Sequence, residues 1–311
     1  MMKFARAALA ASLLAVATDS LAQWAGCPDK PDPSQKATAI DTGYGFDASN
    51  PEAIRFLEAA KATGIKTIIR YYDWAHRPGQ EPESLAPGKW EQSESLCQKI
   101  YTSKRCGGAL TPEERGRLSS ERCTKTLTLP ERNLILSHGF NIVIVFQHFN
   151  ECLETWLDAK RASYDAARAL ELARSLSQPP GSAIYFGVDG ADERFADRGE
   201  RERGIGRITR YFEVIGTQLR KAGYKIGIYG SGYACRKIKD ERHLASYCWI
   251  SQSRSHQGSE AYIRSGDWAI KQCLSNQSYN KLGGVGHDVD PNVVNPALAD
   301  FGQWRPEGSD R

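Results

Sequence analysis

Aspartates recur where short apolar runs end: Asp47, Asp73, Asp189 and the pair Asp288 and Asp290. The plainest case is Ile184-Tyr185-Phe186-Gly187-Val188-Asp189, preceded by Pro179, Pro180 and Gly181 and followed by Gly190. A run apolar on both faces and bounded by turn residues reads as a strand buried on both sides. Aromatic residues keep company with these acids: Tyr71, Tyr72, Trp74, Phe146, Tyr185, Tyr229, Trp249 and Trp268. Carboxylates among flat rings suit a sugar, whose C–H face lies on aromatic side chains. Two carboxylates also suit cleavage of a glycosidic bond, one protonating the leaving oxygen and one stabilising or attacking the oxocarbenium-like centre. The acid role needs a raised pKa, which apolar neighbours supply. Asp189 is the candidate acid, with Asp47 or Asp288 as its partner. Arg70, Tyr72, Gln147, Tyr185, Tyr229, Trp249, Gln272 and Asp290 are the candidate substrate contacts. Each has an ordinary alternative. Aspartates at strand ends cap helices, strand-end aromatics fill cores, and Arg70 could pair with a core acid.

These acids are far apart in the chain, so only a fold that gathers strand ends can unite them. The pattern supplies one. Ala39 to Asp47 reads as a first strand, and Asn50-Pro51 starts a helix with Asn as N-cap and Pro at the first position. Lys66 to Tyr72 is a second strand. Thr128 caps another helix that ends near Gly139, and Asn141 to Gln147 is a third strand. Residues 160–177 and 204–222 are amphipathic helices around the fourth strand. Tyr224 to Gly230, Tyr247 to Ser251, Trp268 to Gln272 and Val285 to Asp290 complete eight strand-like runs, with a short helix near 235–244. Strands alternating with helices predict an α/β fold, a closed parallel (β/α)8 TIM-type barrel over 39–303, with an open doubly wound sheet as the alternative. In such a barrel the carboxyl ends of the strands share one mouth. Residues 74–128 break the rhythm, rich in Pro, Gly and polar residues, with three cysteines in the stretch at Cys97, Cys106 and Cys123. They read as an insertion over the mouth, disulfide-stapled and serving as a lid, a subsite wall or a protein-contacting segment, or as a solvated loop.

The 311 residues carry a net charge of +4, mild enough to permit attraction to anionic polymers without requiring it. Lys and Arg are scattered apart from mixed runs such as Arg198 to Arg207, so nucleic acid is not an expected partner. Lys3 and Arg6, the apolar stretch Ala7 to Ala17 and Ser20-Leu21-Ala22 read as a cleaved export signal over 1–22. A leader over 23–38 and a tail over 304–311 flank the barrel. The expected location is secreted or periplasmic, with no membrane span. Export makes disulfides the economical reading of the eight cysteines, since none shows CxxC spacing. Cys235 with Cys248, and two among Cys97, Cys106 and Cys123, are candidate local pairs. No Gly-x-Ser-x-Gly elbow is present. His148 and Cys152 lack a third ligand, so no metal and no cofactor are expected.

Several motifs stand in an order that resembles a known family. They are Gly45-Phe46-Asp47-Ala48-Ser49, Arg70-Tyr71-Tyr72, Thr126 to Glu131, Tyr185-Phe186-Gly187-Val188-Asp189, Gly223-Tyr224 through Gly227-Ile228-Tyr229-Gly230, and Trp268 with Gln272 and Asp288-Val289-Asp290. This resembles the glycoside-hydrolase-like domain of exported bacterial proteins, the Rv2525c-like group, which is similar in turn to the family 25 glycoside hydrolases, the muramidases. The resemblance covers roughly 39–295 outside the insertion. It implies a (β/α) barrel acting on, or binding, peptidoglycan or a related glycan. It also implies that Asp47 matches the first-strand acid, Asp189 the first acid of a fourth-strand Asp-x-Glu, and Asp288 the last-strand acid. Where that Glu would stand, this chain has Ala191. Hydrolysis with Asp189 itself as acid and glycan binding without cleavage therefore both remain expectations.

Overall fold

The computed structural model describes residues 37–42, 48–72, 126–147, 159–188, 197–251, 257–273, 282 and 289–308. The elements run β1 (Ala39–Thr42), α1 (Pro51–Ala62), β2 (Thr67–Tyr72), α2 (Leu129–Ser137), β3 (Asn141–Phe146), α3 (Ala159–Ser175), β4 (Ala183–Val188), α4 (Arg198–Lys221), β5 (Lys225–Gly230), α5 (Gly232–Cys235), a π-helical turn (Arg236–Glu241), β6 (Tyr247–Ile250), α6 (Ser259–Ser265), β7 (Ile270–Gln272) and β8 (Val289–Val294). The strands close into a barrel in sequence order.

The expected parallel barrel needs one correction. β1 to β7 are parallel, but β8 runs antiparallel to both neighbours, pairing Asp41 with Asp290 on β1 and Gln272 with Asn292 on β7. The last strand is described over Val289–Val294; residues 285–288, where the sequence pattern began it, lie outside the described residues. A reversed strand presents its first residues, not its last, at the mouth, so Asp290 still reaches the carboxyl ends of β1 and β7.

Alternation along each strand divides the apolar residues into two layers. Ile69, Tyr71, Val143, Val145, Tyr185, Tyr229 and Trp249 fill the barrel interior. Ile40, Ile68, Tyr72, Ile144, Phe186, Ile228 and Ile250 face the helices. The helix starts follow the sequence signals. The Asn50 side chain accepts from Glu52 N at 2.9 Å with Pro51 beginning α1, and Thr128 and Glu131 form a full capping box at α2. α4 buries Ile205, Ile208, Tyr211, Phe212, Ile215 and Leu219, but it starts six residues earlier than expected, where Asp197 supplies the cap. α1 buries Phe56 and Leu57, while Ile54 is 38% exposed. The short helix α6 carried no sequence signal that we read.

Tyr185 lies flat against β5. A Cβ on Gly227 would stand 2.2 Å from Tyr185 Cδ1, so this site excludes any other residue. The Tyr185 hydroxyl donates to Phe301 O at 2.7 Å. Phe301 belongs to the chain after β8 that closes the amino-terminal end of the barrel. There Ala183 N donates to Gly302 O, and Ile142 and Trp304 exchange both backbone hydrogen bonds. Lys225 and Tyr247 meet Asp300 at the same end. The packed body thus extends through Trp304, which is 4% exposed.

Cys235 and Cys248 form the expected disulfide, tying α5 to β6 across 13 residues. Cys273 is disulfide-bonded as well. Residues 74–125 of the insertion, the signal-like segment, the remaining cysteines and His148 lie outside the described residues. No helix among the described residues is long and apolar enough to cross a membrane.

Candidate functional site

At the carboxyl ends of β1 to β7 the interior layer turns polar. Asp41 on β1 accepts from the Tyr71 hydroxyl of β2 at 2.6 Å. Tyr229 on β5 donates to Gln272 Oε1 on β7 at 2.7 Å, and Gln272 Nε2 donates to Asp290 Oδ2 on β8 at 3.0 Å. Trp249 Nε1 on β6 donates to Asn292 Oδ1 at 2.8 Å, and Asn292 Nδ2 returns to Asp290 O at 2.9 Å. The Tyr229 bond orients the Gln272 amide, so its nitrogen is the end that faces Asp290. Asp41 is buried and Asp290 half-buried. Directly opposed residues of an antiparallel pair hold their Cβ atoms about 4.5–5.5 Å apart, so the β1–β8 register sets two carboxylates side by side.

Burial, first, and then the charges of Asp41, Tyr229 and Asp290 push the Tyr71 phenol well above its ordinary range. Tyr71 is therefore a neutral hydrogen-bond donor to Asp41 at physiological pH. Such a mouth can orient a polar ligand through carboxylates, a glutamine amide and a phenol edge.

The sequence candidates divide sharply on this frame. Tyr229, Gln272 and Asp290 are brought together, and Gln147 follows β3 at the same end, half-buried. Trp249 and Tyr185 lie inside the barrel, 1% and 0% exposed, and support this layer from below rather than offering a face to a sugar. Arg70 and Tyr72 are corrections. Strand alternation turns both outward, under the helices. Arg70 is fully buried against Glu131 and donates to Thr42 O at 2.6 Å, the core-acid pairing its ordinary reading anticipated. Tyr72 donates to Gln178 Oε1 at 2.9 Å. Asp47, Asp189 and Asp288 lie outside the described residues; β4 is described to Val188, the residue before Asp189.

Sequence reasoning missed Asp41 and Asn292. Asp41 sits in phase with Ala39, and a polar residue midway along an apolar strand was the available signal. Asn292 follows Pro291, which reads locally as a turn. Among the described residues no group of three or more His, Cys, Asp or Glu is placed to hold a metal.

A closed eight-stranded β/α barrel with a carboxylate-bearing mouth defines the class. The chain belongs to the Rv2525c-like, glycoside hydrolase-like domain family, whose model matches residues 108–294. The uncharacterized protein YbfG of Bacillus subtilis is 27% identical over 170 residues, 51% of this chain and 22% of YbfG, so the chain spans about a fifth of that relative. The Tat-secreted protein Rv2525c of Mycobacterium tuberculosis, solved with L-tartrate, shares the fold at a TM-score of 0.50. It is 19% identical, and the likeness covers 86% of this chain and 98% of that one. The glycosyl hydrolase 25 GHIP of Streptococcus pneumoniae is similar at a TM-score of 0.38 and 15% identity over 93% of each chain, a likeness too loose to bear on function.

Proposed function

We propose that this barrel acts outside the cytoplasm on a cell-envelope glycan, peptidoglycan or a relative of it, hydrolysing a glycosidic bond by carboxylate acid–base chemistry. The observation that carries the reading is the opposition of Asp41 and Asp290 across β1 and β8, each accepting a hydrogen bond from a neutral donor. Membership of a glycoside hydrolase-like family supports it. The signal-like segment supports export, in keeping with Rv2525c, which is described as Tat-secreted.

In this mechanism Asp189 protonates the glycosidic oxygen. A second carboxylate, Asp47 or Asp288 from the sequence or Asp290 from the geometry, stabilises the sugar cation as the bond to the leaving group breaks; water then adds to the cation and returns a proton to Asp189. Gln147 and Gln272 hold the ring, the latter oriented by Tyr229. A second reading, glycan binding without cleavage, has Ala191 in its favour, because it replaces the expected proton-donating Glu.

Release of reducing ends from purified peptidoglycan tests the two. Removing a general acid costs about 10²–10⁴-fold in rate, so Asp189→Asn lowers turnover by that order. Unchanged activity in that variant removes Asp189 from the role. Saturable glycan binding without turnover, lost in Asp290→Asn, establishes the second reading instead.

A further inference from the structure

The mixed run Arg198 to Arg207 has no part in the mouth. Glu200 and Glu202 stand among its arginines, and Asp197 precedes it. Asp197 Oδ1 accepts from Glu200 N at 2.7 Å as the cap of α4, and Glu202 accepts from the Tyr233 hydroxyl at 2.9 Å. Arg203, Arg207 and Arg210 are exposed, and none enters an ion pair among the described residues. Their spacing of four and three places them along one outward ridge of the helix. Glu213, the next exposed acid, makes no ion pair with Arg210.

Gly206 lies in the middle of this ridge. A glycine weakens a helix interior, and here nothing in the fold asks for one. Its backbone is helical, it is exposed, and a Cβ would meet nothing within 4 Å. Elsewhere in the barrel Gly227 is required by the Tyr185 ring; Gly206 has no such neighbour. What its missing side chain leaves is a strip of bare backbone, with Arg203 one turn before and Arg210 one turn after. A guanidinium fork meets a carboxylate with two parallel N–H donors. The net charge of +4 adds a general attraction for polyanions.

We propose that this ridge of α4, with Gly206 between Arg203 and Arg210, is an accessory track for a carboxylate-bearing glycan strand. α4 follows β4 and so begins at the mouth end of the barrel; a strand held on the ridge has its continuation toward the mouth. The idea extends the glycan reading above. Individual exposed ion pairs are weak, but several in line on one polymer act together.

The test is binding of the full chain to oligogalacturonate, with a neutral dextran oligosaccharide and phosphatidylglycerol-rich vesicles as the other arms. The wild type binds oligogalacturonate in preference to dextran, and more weakly as salt rises. Arg203→Gln with Arg210→Gln lowers that affinity about tenfold, the loss of two exposed charge pairs. Gly206→Ala also lowers it, while the melting temperature stays level or rises, a split that a purely structural glycine would not give. Equal affinity for dextran, undiminished binding by Gly206→Ala, or uptake by vesicles without oligogalacturonate binding overturns the proposal. If peptidoglycan turnover fails while oligogalacturonate binding persists in the wild type and falls in the ridge variants, the hydrolytic reading falls and the track stands.

Discussion

Glu131→Ala would strand the Arg70 guanidinium in the layer between barrel and helices without its carboxylate. Both side chains are 0% exposed. Glu131 Oε2 also approaches Arg70 Nη2 at 3.4 Å and accepts from Thr128 N at 3.3 Å, so one carboxylate joins β2 to the start of α2. Breaking a buried pair by removing one partner costs about 3–5 kcal/mol, and the lost half of the capping box adds up to about 1 kcal/mol. At about 2–4 °C per kcal/mol for a large domain, the melting temperature falls by about 10 °C or more. Arg70→Met with Glu131→Leu replaces both charges by apolar groups and returns to within about 2 kcal/mol of the wild type. Calorimetry and urea titration of the three proteins measure this. A loss below about 1 kcal/mol for Glu131→Ala, or a double variant no better than the single, would refute the reasoning. The double variant also retains glycan binding, because Arg70 faces the helices and not the mouth.

Serine in place of Cys235 and Cys248 removes a short covalent loop and lowers stability by about 3 kcal/mol, read as a shift in the denaturation midpoint. Gly227→Ala drives a methyl group into the Tyr185 ring and costs about 1–3 kcal/mol by thermal melting; a neutral outcome would mean that Tyr185 moves freely. At the closed end of the barrel, burial alone would raise Asp300, but hydrogen bonds from Lys225, Gly302 N–H and Tyr247 outweigh it and hold its carboxyl below the usual value of 3.8. The Asp300 hydrogen bond, chiefly, raises Lys225 above 10.5. The carboxylate contribution is therefore present above pH 3.8 and lost as pH falls through the lowered value; the lysine contribution is present below pH 10.5 and lost as pH rises through the raised one. Stability curves of the wild type and Asp300→Asn run parallel between these limits, less than about 1 kcal/mol apart because the pair is half exposed. They converge in strong acid; a gap that widens there sinks the assignment.

The strands that could be read from sequence are those whose neighbours cover both faces. β2, β3 and β5 came within a residue of their ends because β-branched and aromatic residues dominate them, with Arg70 in β2 and Gly227 in β5 as the interruptions. β8 could not be read that way. Val-Asp-Pro-Asn-Val-Val looks locally like a turn, and its direction is decided by partners, Asp41 on one side and Gln272 on the other. The same limit applies to side chains. Arg70 and Tyr71 are adjacent, yet alternation sends Arg70, a candidate contact in the sequence, under α2 and Tyr71, which was not one, into the mouth. The capping box at Thr128 and Glu131 was visible in sequence; that its Glu also neutralises Arg70 is a fact of packing alone.

Closure of the barrel joins distant parts of the polypeptide. Val294 N bonds to Thr38 Oγ1 across 256 residues, and Trp304 completes the floor against β3. Without β8, β1 to β7 form a sheet with two open edges. A chain halted before residue 289 lacks Asp290 and Asn292 and has no finished mouth.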